Sequence, residues 1–185
     1  MRLGQWLRSI NIFVAVGVAL LVGLAGGLIL WGGFNVVAAA TSTNEFCTSC
    51  HEMAAPASQY QQSPHYKNEY GVRADCADCH VPKPFVPRVI HMVLALRDVW
   101  GHLTGIIDTS EKYQAHRLEM AEITWREMEA DNSLGCRSCH SFEAMDFAKQ
   151  PAAAASVMHP AMAAGTACIS CHKGIAHGLP EALPN

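Results

Sequence analysis

No run of basic residues occurs in the 185-residue chain, and its formal net charge at pH 7 is only −3. A surface for nucleic acid needs clustered Lys and Arg, so nucleic acid is not expected as a partner. Charge of either sign is missing from Ile10 to Ala40. Unpaired cysteine is missing too: the eight cysteines fall into four pairs, each followed directly by a histidine. A zinc knot, a thioredoxin-like redox pair and a disulfide framework all account for paired cysteines. None of them needs that histidine.

The four units are Cys47, Cys50 and His51; Cys76, Cys79 and His80; Cys136, Cys139 and His140; and Cys168, Cys171 and His172. Two cysteines at this spacing each form a thioether to a haem vinyl group, and the adjoining histidine then ligates the iron from one face. Four covalently bound c-type haems are therefore expected. Haem is attached to thiols on the oxidising side of a membrane, so the motif also sets the compartment. Without the N-terminal segment about 145 residues remain, or roughly 36 per haem, too few to wrap each cofactor in its own helical domain. The porphyrins must supply much of the core.

Arg2 and Arg8 precede the uncharged stretch, which exceeds the roughly 20 residues that cross a bilayer. A retained membrane anchor is expected, with the N-terminus cytoplasmic and the haem region outside. The rival is a cleaved signal peptide, because Ala38, Ala39 and Ala40 resemble a cleavage site; its apolar region would be about half as long. The expected class is mainly α, a single N-terminal transmembrane helix plus a small multihaem domain with few helices and much irregular structure. Its expected parts are a cytoplasmic N-terminus at 1–9, a transmembrane helix at 10–37 and a periplasmic domain at 38–185. That domain divides into dihaem halves at about 44–84 and 133–178, linked by helices over 88–130.

The halves carry a weak duplication. His65 stands 11 positions before Cys76, and His159 stands 9 positions before Cys168. Each half then reads haem, free histidine, haem, which makes His65 and His159 candidates for second axial ligands, although an isolated histidine is more often a surface or core residue. His177, five residues after His172, is too near to cross its own haem easily but is free to ligate another. Residues Leu179 to Asn185 read as an extended end.

In the linker, Pro82, Pro84 and Pro87 exclude helix before about Arg88, with Pro87 suited to a first helical position. The helix should then run to Gly101 or Gly105, with His91, Asp98 and His102 on one face within about 40°. Such a helix either lies at a membrane boundary and presents this stripe to a haem or ligand, or is a core helix with structural hydrogen bonds. A second helix is expected from Ser110 to Ala130, with Leu118, Ala121, Trp125 and Met128 inward. Arg117, Glu122, Arg126 and Glu129 fall on its solvated side, and His116 is a surface residue or reserve ligand. Met53 follows His51 by two positions, an offset no other unit shares. Either Met53 ligates the first iron through its thioether, or His51 does and Met53 packs.

Four units behind one anchor, with Cys79-His80-Val81-Pro82, Trp100 to Gly105, Ala115 to Leu118 and Cys171 to His177, resemble the NapC/NirT family of membrane tetrahaem quinol dehydrogenases. The resemblance covers nearly the whole chain and is strongest to the NapC type that serves periplasmic nitrate reductase. It implies oxidation of ubiquinol or menaquinol at haem 1 and transfer to a soluble periplasmic reductase, most simply nitrate reductase, from the bacterial inner membrane. It also implies Met53 on haem 1 with Asp98 near its other face, His177 with His80 on haem 2, His65 with His140 on haem 3, and His159 with His172 on haem 4. Some members have a lysine matching His91 or Met92 at the quinol site. Here His91, Arg97 or Lys83 would take that part, beside Asp98 as the base. Spacing and resemblance fix no oligomeric state.

Overall fold

Asn11 starts the first helix, its side-chain oxygen accepting from Phe13 N at 3.0 Å in the manner of an N-cap. Helix α1, Ile12–Thr41, has 30 residues and a mean hydropathy of 2.6 in its most apolar window. At 1.5 Å per residue it is about 45 Å long, more than the roughly 30 Å hydrocarbon core of a bilayer. It runs four residues past the expected end at 37, because the three alanines there are the strongest of helix formers. The computed structural model describes residues 11–180. Arg2, Arg8 and the expected cytoplasmic segment at 1–9 lie outside that span, as do residues 181–185 of the expected extended end. By backbone proximity, the chain divides between Thr41 and Ser42 into two units, each compact in itself.

The second unit is helical, with no strand among the described residues. Its helices are α2 (Asn44–Cys47), α3 (Ala54–Tyr60), α4 (Cys76–His80), α5 (Phe85–Leu94), α6 (Leu96–Leu103), α7 (Ser110–Ala130), α8 (Leu134–Arg137) and α9 (Ala152–Ala163). Short 3-10 turns at His51–Met53 and Cys168–Ser170 carry parts of the first and fourth cysteine units. Buried apolar residues are scarce. Among the described residues of this unit only Ile169, Pro56, Gly101 and Pro180 have buried, non-polar positions.

Polar ties join the cysteine units in a row. Asn44 on α2 donates to Asp75 Oδ1 at 2.7 Å and accepts from Cys76 N at 2.9 Å, fastening the first unit to the second. Gly135 on α8 lies so close to α4 that an added Cβ would sit 2.8 Å from the Cys79 carbonyl oxygen and 2.9 Å from that of Asp78. Only glycine permits this approach of the second and third units. Ser133, 1% exposed, accepts through Oγ from Ile169 N at 3.2 Å and so binds the third unit to the fourth. Its φ of 55° follows one of 56° at Asn132, two left-handed residues in succession. Arg137 holds that turn by donating to Asn132 O at 2.7 Å and to Asn132 Oδ1 at 3.0 Å.

The linker departs from expectation in three places. Helix α5 begins at Phe85 rather than Arg88, with Pro87 as its third residue. A proline in the first turn lacks only an N–H that would have had no intrahelical partner. The helix is also interrupted at Ala95, where ψ opens to −15° and Asp98 N bonds to Ala95 O at 3.1 Å, three residues back. Helix α7 has the expected bounds, started by Thr109, whose side chain accepts from Lys112 N. Arg117, however, is not on a solvated side but 9% exposed.

Replacing Gly135 by alanine forces the backbone of α4 and α8 apart. We expect it to lower stability by about 1–3 kcal/mol, read from denaturant unfolding, whereas Gly165→Ala meets no atom within 4 Å and is limited to the local cost of its positive φ.

Candidate functional site

Three cavities in the second unit are bordered by the cysteine units. The largest, about 530 Å³, is lined by Cys136, Cys139 and His140, by Cys168, Cys171 and His172, and by His65. A second, about 470 Å³, has Cys79, His80, His91, Arg97 and Asp98 on its walls. The third, about 390 Å³, is bounded by Cys50, Met53, His80, Asp98, His102, Arg117 and His177. Volumes of a few hundred Å³ suit a cofactor or a drug-sized ligand. Asp98 and Arg97 border both of the last two.

Imidazoles face one another across these spaces. His80 and His177 have ring centres 6.1 Å apart with planes at 13°, and His65 and His140 have centres 6.2 Å apart at 72°. Two imidazoles on opposite sides of one metal ion, with bonds of about 2 Å and about 1 Å more to each ring centre, stand roughly 6 Å apart. The thiol pairs, the paired imidazoles and the near absence of an apolar core fit a covalently held haem. His80 opens onto a cavity yet is walled by protein, and burial first, then His177 and His91, lower its pKa to about 4. His177 is lowered by burial and by the nearby Arg117. Both are held neutral, the form that ligates metal.

The first unit is arranged differently. The His51 Nε2–H donates to the carbonyl oxygen of Asp108 at 2.5 Å. Asp108 is itself fixed by Lys112, whose Nζ donates to its Oδ1 at 2.7 Å and holds its carboxyl below the ordinary range. His51 also stands 6.1 Å from His102 between ring centres. His102 Nδ1 shares a 2.5 Å hydrogen bond with Oε1 of Glu52, whose side chain is 4% exposed. Met53 faces the third cavity.

Asp98 pairs with Arg97, Nε to Oδ1 at 3.5 Å, and Arg97 reaches on to Glu127 at 3.2 Å. Burial pushes the Asp98 carboxyl above the usual range, against the lowering by Arg97. His91 lines the same cavity as Asp98 and His80. Lys83 instead pairs with Asp78 at 3.4 Å, and it is not part of either cavity wall. His159 packs its ring on Phe147 at 4.7 Å, while its neighbour Met158 lines the largest cavity.

A family model described as the NapC/NirT cytochrome c family, N-terminal region, matches residues 10–182. The chain belongs to the NapC/NirT cytochrome c family. Membership means covalently bound c-type haem, which the cysteine units and their cavities accommodate. The chain is 48% identical over 181 residues to the cytochrome c-type protein NapC of Escherichia coli strain K12, covering 97% of this chain and 90% of that protein. It is 43% identical over 178 residues to the denitrification system component NirT of Stutzerimonas stutzeri, covering 96% and 89%. It is 47% identical over 161 residues to the cytochrome c-type protein TorY of Haemophilus influenzae, covering 87% of this chain but 43% of TorY. No solved structure matches.

Two groups in this NapC/NirT family chain were not singled out by sequence reasoning. Glu52 sits inside a haem motif, where nothing local signals burial or a partner 50 residues away. Arg117 carried a readable signal: Tyr113 and Ala121, four residues either side of it on α7, put it on a face with apolar content. Removing His102 as His102→Phe leaves the buried Glu52 carboxyl with only the 3.6 Å approach of His51 Nδ1, at an expected cost of about 1–3 kcal/mol in denaturant unfolding of the haem-loaded protein. Combining it with Glu52→Leu should restore most of that loss, because neither polar group is then left unpaired.

Proposed function

We propose that this chain is a quinol dehydrogenase that oxidises ubiquinol or menaquinol and delivers electrons to a soluble periplasmic reductase, with nitrate reductase as the recipient. Helix α1 anchors it in the bacterial inner membrane; Arg2 and Arg8 before the span keep the N-terminus cytoplasmic and place residues 42–185 in the periplasm. Four c-type haems, one per cysteine unit, supply one-electron acceptance and release when bound, so neighbours drain both electrons of a quinol. His80 with His177, His140 with His65 and His172 with His159 would hold three of the irons. Met53 would hold the first.

The observation that carries this reading is the hydrogen bond from His51 Nε2 to the Asp108 carbonyl oxygen. That bond engages the nitrogen His51 would use and supports Met53, on the cavity it shares with Cys50 and Asp98, as the ligand of the first unit. Asp98 is the base. Its raised pKa brings it nearer the working pH, where a carboxyl accepts a proton from a quinol hydroxyl most effectively. Arg97 orients the carboxylate through their ion pair, and His91 supplies a second polar group on the wall. The relative named as a denitrification system component supports a nitrogen-oxide reductase as recipient.

A second reading of the partner follows from His159, which rests on Phe147 rather than on the cavity beside His172. A reductase that docks permanently, a pentahaem nitrite reductase for instance, would then complete the fourth haem from its own surface. The isolated protein would show that haem with one protein ligand only.

Electron paramagnetic resonance of the oxidised, detergent-purified protein tests both readings. We expect three low-spin haems and one high-spin haem perturbed by a quinol analogue; four low-spin haems indifferent to the analogue would overturn the first-haem site. We expect Asp98→Asn to lower the quinol oxidation rate by about 10² to 10⁴-fold with haem content unchanged. In the unsubstituted protein the rate should rise with pH through the elevated Asp98 pKa, because below it the carboxyl is already protonated. That acidic limb should vanish in Asp98→Asn.

A further inference from the structure

The chain after Cys171 reverses at Gly174, where φ is +77°, and brings His177 nearly parallel to His80. A histidine on a terminal strap, far from its opposite number in the sequence, needs something to hold it there. The residue after it is gripped at both of its backbone polar groups. Gly178 N donates to Gln59 Oε1 at 3.0 Å, and Gly178 O accepts from Arg117 Nη2 at 2.7 Å. Arg117 Nη2 also donates to Gln59 Oε1 at 2.8 Å, closing a ring of three bonds between α3, α7 and the strap.

The chemistry at Arg117 is unusual for a charge in this position. It is 9% exposed, and among the described residues no carboxylate pairs with it. Burying a guanidinium costs several kcal/mol of lost hydration, and the donors of its planar fork here go to a backbone carbonyl and to the amides of Gln59 and Gln114 rather than to an acid. A lysine would bring the same charge but a single mobile point of donation.

We infer that Arg117 and Gln59 form a clamp on Gly178 that positions His177 opposite His80. They are positioning residues, acting on His177 through the backbone of Gly178. The inference deepens the proposed function, because it rests on the assignment of His177 to the haem of the second cysteine unit. It also accounts for an arginine being the buried residue of α7.

The test uses the full-length, haem-loaded protein in detergent, with haem quantified and spin state read by electron paramagnetic resonance. His177→Ala is the reference for the ligand assignment, and it should convert one haem from low to high spin. Arg117→Lys and Gln59→Leu should each lose a part of that same low-spin signal, and free imidazole should restore it by entering the vacated ligand position. Glu122→Ala, on the exposed side of α7 where it pairs with Arg126 at 3.8 Å, should leave every signal unchanged. If Arg117→Lys and Gln59→Leu both keep the full low-spin spectrum while His177→Ala loses one haem of it, the clamp is refuted and the ligand assignment stands. If His177→Ala loses nothing, the ligand assignment fails and the clamp falls with it. Should Arg117→Lys not load haem, Gln59→Leu alone decides, since it alters a different helix and no charge.

Discussion

Close backbone approach between successive cysteine units is the constraint on which the second unit depends. At Gly135 the third unit meets the second at a distance that admits no side chain, and at Ser133 it meets the fourth through a buried hydroxyl. The first and second units touch as well, with the Asn44 side chain bonded to the Cys76 N–H and to the Asp75 carboxylate. A domain of this size would ordinarily be held by apolar burial. Here Ile169 is nearly alone in that role, so side-chain-to-backbone bonds fix the relative placement of the units, and the cavities between them take the place of a core. For electron transfer the consequence is direct: haems held by neighbouring units would be brought close by the same contacts that hold the fold.

The linker helices then set what surrounds the first two units. The interruption at Ala95 ends α5 and restarts the chain as α6, so that Arg97 and Asp98 open the second helix at the boundary of two cavities. His91 from α5 and His102 from α6 end up on different cavities, one with His80 and the other with Cys50. A single uninterrupted helix would have kept them on one stripe. The break therefore divides a polar stripe into a part that faces the second unit and a part that faces the first, with Asp98 common to both.

Much of this was legible because covalent chemistry writes itself into spacing. The cysteine pairs name the attachment points outright, and the offsets of His65 and His177 marked two imidazoles that the fold brings to within 6.2 Å of His140 and 6.1 Å of His80. Helix α7 was readable to the residue at both ends, since its threonine cap and apolar spacing are local signals. What escaped depends on contacts distant in sequence or on fine backbone geometry. By polarity alone Arg117 reads as solvated, whereas its burial is decided by a strap 61 residues away. Pro87 suits a helix start, but a first turn has several positions where a missing N–H is harmless, and periodicity does not choose among them. Nor does spacing announce two left-handed residues at Asn132 and Ser133, which are imposed by Arg137 and by the need to seat Ile169. His159 shows the limit of pattern most clearly: its offset of 9 residues is close to the 11 of His65, yet its ring lies on Phe147.

The scarcity of an apolar core also ties folding to cofactor attachment. A ligand that binds only the folded chain stabilises it by mass action, and a thioether makes that gain permanent. The surroundings of the imidazoles favour the neutral ring that ligates metal, lowering the His80 pKa to about 4 and disfavouring the charged form of His177. Neutral rings spend no proton on ligation. They also avoid placing two positive charges 6.1 Å apart, which would push the strap away from α4 just where it must stay. The lowered pKa values and the polar ties thus act in one direction. Together they hold a thinly packed chain in the geometry that its haems then lock.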